Sequence, residues 1–159
     1  MKQSKTQSID TETGFVDDYL LYLLAAASEA ASAQFHAQVR QAGLRVPEWR
    51  VLACLYDNDG AMITQLARIA LAEQSRLTRI IIQMEERGLV SRKGDPNDGR
   101  RVRVYLSDEG RSLVSSLVPD ARRHETYLLA QLNDSDGRHL KTALHSLLEA
   151  LEVKRDGKN

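Results

Sequence analysis

Arginine, glutamine and hydroxyl side chains are concentrated on one face of a short segment in the middle of this sequence. Its apolar residues, Leu77, Ile80, Ile81 and Met84, recur at the spacing of one face of a helix. The remaining positions that could make contacts are Gln74, Ser75, Arg76, Thr78, Arg79 and Gln83. Side chains of these types pair with base edges and phosphates. The segment is therefore a candidate nucleic-acid contact, and its alternative interpretation is an ordinary solvated helix face.

A second group of charged residues follows some twenty residues later, around Gly99. It contains the two arginines Arg100 and Arg101 and the acidic Asp98, in a segment rich in turn residues. An arginine on a projecting loop can enter the narrow, electronegative minor groove of DNA. Asp98 lies two residues before Arg100, and we expect it to hold the Arg100 guanidinium in a bidentate pair. The alternative is an exposed ion pair, usually worth under about 1 kcal/mol.

The hydrophobic pattern predicts the elements that would position these groups. Apolar residues at helical spacing predict helices over 15–41, from Pro47 to Tyr56, over 62–71 and over 74–87. Alternating residues over 89–93 and 101–106 predict a β-hairpin with a long tip. Ser107 is a candidate N-cap for a further helix, which Pro119 should kink or interrupt, and a last helix runs to about Leu151.

Composition limits the class of protein. The chain has 159 residues, with 22 basic and 22 acidic side chains and one cysteine. The single cysteine excludes a disulfide framework within the chain, and the zero net charge excludes a polybasic nucleic-acid binder. The charge is uneven, however, because residues 44–106 carry 11 basic and 8 acidic groups. No apolar run is long enough to span a membrane, and residues 1–18 are acidic rather than positive. We expect a cytoplasmic protein.

Three short helices followed by a hairpin, within the basic middle of the chain, are the order of a winged helix-turn-helix. The predicted fold is mainly α with a small β-hairpin wing. We divide the chain into flexible tails at 1–14 and 154–159, a helical region at 15–43 and 107–153, and a DNA-binding region at 44–106.

The motifs in this region resemble those of the MarR family (multiple antibiotic resistance regulators). The resemblance is carried by Leu66-Ala67, Leu77-Thr78-Arg79, Met84 to Arg92, Asp95 to Arg101 and Val104 to Gly110. Met62 and Glu73 depart from the family, which usually has a Ser or Thr cap and a small polar cap there. The resemblance implies a homodimeric regulator of transcription that binds double-stranded DNA, commonly a repressor released by a small ligand. The helical region at 15–43 and 107–153 would then be its dimerisation region. A symmetric dimer would bind a pseudo-palindromic operator.

Two apolar stripes at opposite ends of the chain agree with a dimer. They are formed by Val16, Leu20, Leu23 and Ala27, and by Leu140, Leu144, Leu147 and Leu151. The alternative is that the two stripes pack only on each other within one chain.

An effector site is the second implication of the resemblance. Its candidate residues are Tyr19, Tyr22, His36, Arg40, Trp49 and Arg50. Aromatic rings beside arginine or histidine suit a flat anionic ligand such as a small aromatic carboxylate. The aromatic residues could equally be core or interface residues.

Two other functions stay open. Cys54 could be a redox switch, although its apolar neighbours favour a buried, unreactive thiol. The chain could also be an interaction module that has lost DNA binding. No Gly-x-Ser-x-Gly, Walker or His-Glu-x-x-His motif is present, so we expect no enzyme activity, and we expect neither a metal site nor a cofactor.

Overall fold

A computed structural model describes residues 14–151, apart from the side chain of Asp134. The chain divides into two compact units, residues 1–34 and 35–159. Its six α-helices within the described range are α1 (Leu20–Gln41), α2 (Val46–Asp57), α3 (Ile63–Ile69), α4 (Gln74–Glu86), α5 (Asp108–Leu129) and α6 (Asp134–Ala150). Its strands there are β1 (Ala61–Met62), β2 (Val90–Gly94) and β3 (Val102–Leu106).

The described part of the first unit is a 3-10 turn, Val16–Asp18, followed by most of α1. Phe15 stacks on Tyr19 with ring centroids 5.0 Å apart. Large apolar side chains from Phe15 to Leu23 are exposed. The predicted helix start at Phe15 was wrong, because α1 begins at Leu20, after the 3-10 turn.

The second unit contains the hydrophobic core. Its members come from the C-terminal part of α1, from α2, α3 and α4, from the sheet and from the first half of α5. Val51, Leu52 and Leu55 of α2 are fully buried, as are Leu66 of α3 and Leu77 of α4. This core holds α3 and α4 in a helix-turn-helix.

The three strands form an antiparallel sheet in the order β1-β3-β2. Strands β2 and β3 are the predicted hairpin, with Val90 opposite Leu106 and Gly94 opposite Val102. Strand β1, in which Ala61 pairs with Val104 and Met62 with Arg103, was not predicted. Two residues are too few to show strand periodicity, and β1 exists because β3 pairs with it.

Helix α5 begins as predicted, because the Ser107 hydroxyl oxygen accepts a hydrogen bond from the Gly110 N–H at 2.9 Å. Gly110 is needed there, since a Cβ atom at this position would lie 2.0 Å from the Leu89 carbonyl oxygen. Pro119 does not interrupt α5, which runs unbroken to Leu129. The predicted interruption was therefore wrong. Helix α6 has no buried side chain among those the structure describes.

The predicted tails lie outside the described residues, except for Gly14. No helix within 14–151 is both long and apolar enough to cross a membrane. The domain boundaries predicted from sequence stay predictions.

Candidate nucleic-acid interface

Helix α4 presents the predicted contact residues on one face. Leu77, Ile80, Ile81 and Met84 are buried in the core. The opposite face exposes Gln74, Ser75, Arg76, Arg79 and Gln83, while Thr78 is half-buried. Within the described chain, the guanidinium groups of Arg76 and Arg79 have no hydrogen-bond or ion-pair partner. They are therefore available to an anionic ligand.

The N-terminus of α4 is organised by its own side chains. Glu73 is the N-cap residue, and its Oε1 accepts a hydrogen bond of 2.6 Å from the Ser75 hydroxyl. The Thr78 hydroxyl donates to the Gln74 carbonyl oxygen at 2.9 Å. The helix therefore starts at Gln74 despite the unusual cap, and the Glu73 carboxylate lies beside the positive end of the helix dipole.

The C-terminal half of α4 is tied to α2. Arg45, just before α2, donates from Nη2 to the Gln83 Oε1 at 2.7 Å. Gln83 was predicted to contact DNA, but its amide oxygen is used in this bond. As a candidate DNA contact it keeps only its amide N–H groups.

A buried glutamate lies at the centre of this junction. Glu48 of α2 is 0% exposed. It accepts hydrogen bonds from the Arg45 N–H at 2.7 Å and from Arg87 Nη1 at 2.8 Å to each carboxylate oxygen. Arg87 Nη2 also donates to the Gly43 carbonyl oxygen at 2.8 Å. The network joins the α1–α2 turn, the start of α2 and the end of α4.

Two opposing effects act on the pKa of Glu48. Burial raises the pKa, but the hydrogen bonds and charges of Arg45 and Arg87 outweigh it and hold the pKa below its usual range. Glu48 is thus ionised at neutral pH, and its charge is compensated by the two arginines.

The wing, residues 90–106, is the hairpin of β2 and β3 with its connecting loop. Asp95 organises the loop, because its Oδ1 accepts from the N–H groups of Asn97 at 2.8 Å and Asp98 at 3.2 Å. Its Oδ2 pairs with Arg103 Nε at 2.5 Å, and Arg103 Nη1 donates to the Gly60 carbonyl oxygen at 2.9 Å. The hydrogen bond from the Asn97 N–H has the largest effect on the pKa of Asp95 and lowers it, and the bond from Arg103 lowers it further. The loop is therefore fixed on the sheet.

The wing is also joined to α4 at its base. Glu85 of α4 accepts from the Arg92 N–H at 2.8 Å and from Arg92 Nε at 2.7 Å. Both bonds lower the pKa of the Glu85 carboxyl, and the bond from the Arg92 N–H has the larger effect. The helix and the wing are thus positioned relative to each other.

The predicted pair between Asp98 and the Arg100 guanidinium was wrong. Asp98 Oδ2 instead pairs with Arg101 Nε at 3.2 Å, while its Oδ1 accepts the backbone N–H of Arg100 at 3.1 Å. The Arg101 N–H bonds to the Asp98 carbonyl oxygen at 2.9 Å, and this turn brings the Arg101 side chain to the carboxylate. The Arg100 guanidinium is exposed and has no partner within residues 14–151, so it is the more available of the two arginines.

Neither Asp95 nor Glu48 was predicted from the sequence as a site residue. Arg87, the partner of Glu48 at the end of α4, is 39 residues away, so no local pattern reveals it. One signal was available, because Glu48 shares the apolar face of α2 with Val51, Leu52 and Leu55. An acid on a buried face requires a basic partner.

The predicted effector residues are partly brought together. The pKa of His36 is lowered by burial and by the charges of Arg50 and Arg40, so these three groups are neighbours. Trp49 packs edge-on against Phe35, with centroids 5.2 Å apart, and lines a cleft of about 280 Å³ between α2 and α5. Tyr19 and Tyr22 are exposed in the first unit. The assignment of all six residues to a ligand stays a prediction.

Cys54 is half-buried and packs against the hydrophobic core. The redox alternative stays a hypothesis. Within the residues the structure describes, no three His, Cys, Asp or Glu side chains are grouped as metal ligands would be.

Three comparisons with known proteins agree with this architecture. The sequence model of the MarR family matches residues 44–102. The chain is similar to the crystal structure of the MarR family transcriptional regulator SPO1453 from Silicibacter pomeroyi DSS-3. The two sequences are 59% identical, the TM-score is 0.80, and the match covers 87% of this chain and 99% of SPO1453. The HTH-type transcriptional repressor IacR of Pseudomonas putida is 26% identical over 86% of this chain and 82% of its own. The chain is also similar to the crystal structure of NadR in complex with 4-hydroxyphenylacetate. The sequence identity is 28%, the TM-score is 0.71, and the match covers 92% of this chain and 96% of NadR.

Proposed function

The chain belongs to the MarR family of transcriptional regulators, and from that premise we propose that it is a homodimer that binds a pseudo-palindromic DNA operator and represses transcription. The fold and family are those of regulators rather than enzymes. The observation that carries the proposal is the exposed basic face of α4 beside an ordered wing. Arg76 and Arg79 on α4 and Arg100 on the wing have no partner for their guanidinium groups in the part of the chain described.

In this proposal α4 enters the major groove, where Ser75, Arg76, Thr78 and Arg79 meet bases and phosphates. Arg100 enters the adjacent minor groove. Asp98 holds the loop through Arg101 and the Arg100 N–H, so its role is to position the loop. Repression follows from occupation of the promoter, and the similarity to IacR, itself named a repressor, supports this direction.

The exposed apolar surface supports dimerisation. On α6, Leu140, Leu144 and Leu148 are exposed, as is Leu151 directly after the helix. In the first unit, Leu20, Leu21 and Leu23 are exposed as well. Surfaces of this kind are covered in a stable protein. A second copy would cover both and place two α4 helices about one DNA turn apart.

Two arginine variants test the DNA contacts. We expect Arg79→Ala to weaken binding to the operator by about 10- to 100-fold, the range for loss of a bidentate base contact. Binding to a scrambled duplex should change little. Arg100→Ala should weaken binding strongly. The measurement is fluorescence anisotropy on duplexes from upstream of the gene, with a scrambled duplex for comparison.

The matched control is Arg138→Ala, which removes the same charge from the exposed surface of α6. It should leave the affinity unchanged. An equal loss on all sequences would reduce Arg79 to a phosphate contact. Unchanged affinity of Arg100→Ala would exclude the wing from the interface.

The effector we propose is a small aromatic carboxylate. Arg40 and Arg50 supply positive charge, His36 is kept neutral by its lowered pKa, and Trp49 supplies an aromatic face. NadR, similar in fold and 28% identical, was crystallised with 4-hydroxyphenylacetate. That compound, added to the same assay, should release the DNA, and Arg50→Gln should reduce this response. Release that is the same in Arg50→Gln would remove Arg50 from the site.

A further inference from the structure

Three helices of the described chain end with the same pair of backbone hydrogen bonds. At the end of α1, Gly43 N–H bonds to Arg40 O and Leu44 N–H to Val39 O; at the end of α4, Gly88 N–H bonds to Glu85 O and Leu89 N–H to Met84 O. At the end of α3, Leu71 N–H bonds to Arg68 O and Ala72 N–H to Ala67 O. This is the Schellman motif, in which one residue must be left-handed.

The left-handed residue is glycine at two of these ends and leucine at the third. The φ angles are +78° for Gly43, +72° for Gly88 and +54° for Leu71. Glycine adopts this conformation without strain, whereas a Cβ atom makes it unfavourable. Leu71 therefore takes the less stable option at a position where glycine would serve.

Packing does not explain the leucine. Its side chain is 80% exposed, the highest value among the large exposed hydrophobic residues. At the other two ends the following residue, Leu44 or Leu89, makes the buried contact of the motif. Strain held by a residue that contributes no core contact points to a function.

The position of Leu71 identifies the partner. It lies in the turn of the helix-turn-helix, three residues before Gln74, where α4 begins. The N-terminal residues of such a helix contact base edges in the major groove. The neighbouring residues Arg68, Glu73, Gln74, Ser75 and Arg76 are exposed and polar. A single apolar group in polar surroundings is too small for a protein interface, but it matches the 5-methyl group of thymine.

We propose that Leu71 is a specificity-determining residue that contacts a thymine 5-methyl group at the edge of each operator half-site. This inference rests on the proposed DNA-binding function. Burial of one methyl-sized group corresponds to a factor of about four in affinity.

The test removes either side of the contact. Wild-type protein first selects its preferred duplex from a random-sequence library. Each thymine of that duplex is then replaced singly by deoxyuridine, which lacks the methyl group. We expect wild type to lose about fourfold in affinity at one thymine per half-site. Leu71→Ala and Leu71→Gly should bind the thymine and uracil duplexes equally, whereas Leu71→Met should keep the preference. Leu71→Gly should also melt at a higher temperature, because its turn is unstrained.

The outcomes separate this inference from the function on which it rests. Failure of wild type to select any sequence would overturn both. Selection of a sequence with indifference to every deoxyuridine would overturn the role of Leu71 alone. So would a Leu71→Ala protein that keeps the preference of wild type, as expected if Leu71 served a protein partner instead.

Discussion

At the scale of single residues, Glu48 shows how a buried charge can position α4, the proposed DNA-contact helix. Its carboxylate is inaccessible to water and receives hydrogen bonds from Arg45 and Arg87. Arg45 also bonds Gln83 on α4. A displacement of α4 along its axis would therefore break bonds to a buried anion. Removing one partner of such a network is costlier than the network's net contribution to stability.

We expect Glu48→Gln to lower the free energy of unfolding at pH 7 by about 2 kcal/mol, the range for hydrogen bonds to charged groups. The folded-state pKa of Glu48 lies below its ordinary value of 4.5. Its contribution is therefore fully present above about pH 4.5 and is lost as the pH falls through the folded-state pKa. The difference between wild type and variant should shrink over the same interval. Urea unfolding at several pH values measures it.

The matched control is Glu86→Gln, an exposed glutamate on α4. It should unfold like wild type at every pH. A Glu48→Gln protein as stable as wild type at pH 7 would contradict the role given to this network.

At the scale of elements, the wing is built around one aspartate. Asp95 joins the loop backbone at Asn97 and Asp98 to Arg103, which in turn reaches Gly60 beside β1. These bonds restrain the loop that carries Arg100. A rigid tip loses less conformational entropy when it enters a groove.

Asp95→Ala should therefore loosen the loop without unfolding the protein. The amide protons of Asn97 and Asp98 should exchange with solvent severalfold faster, since both lose their acceptor. DNA affinity should fall together with this protection. Hydrogen exchange measured by NMR, with anisotropy on the same samples, tests both effects.

Asp108→Ala, in the first turn of α5, is the control, because it removes an exposed acid outside the loop. An Asp95→Ala wing with unchanged protection would show that the sheet alone orders the tip.

The elements were largely predictable because their signals are local. The ends of α1 and α4 were marked by glycines that the backbone needs at positive φ, and β2 and β3 by alternation. Two of the errors concern elements. Strand β1 was missed because it depends on pairing with a strand some 40 residues later, and α5 was expected to be kinked or interrupted at Pro119 but continues through it. The partner of Asp98 depends on the geometry of its turn, and the bond of Glu48 to Arg87 depends on tertiary geometry, neither of which spacing alone defines.

At the scale of the whole molecule, zero net charge conceals a basic region between less basic ends. The exposed guanidinium groups of Arg76, Arg79 and Arg100 belong to that region. Such a surface binds phosphates by releasing counterions, so its affinity must fall steeply with salt. The exposed apolar residues of α6 predict that the binding species is a dimer.

The most direct measurement is the fluorescence anisotropy of wild-type protein on duplex DNA from upstream of its gene, at two salt concentrations. We expect nanomolar affinity at low salt, a steep loss at the higher concentration, and saturation at two chains per site. A flat curve at both concentrations, on this duplex and on random genomic fragments, would contradict the claim that α4 and the wing bind DNA.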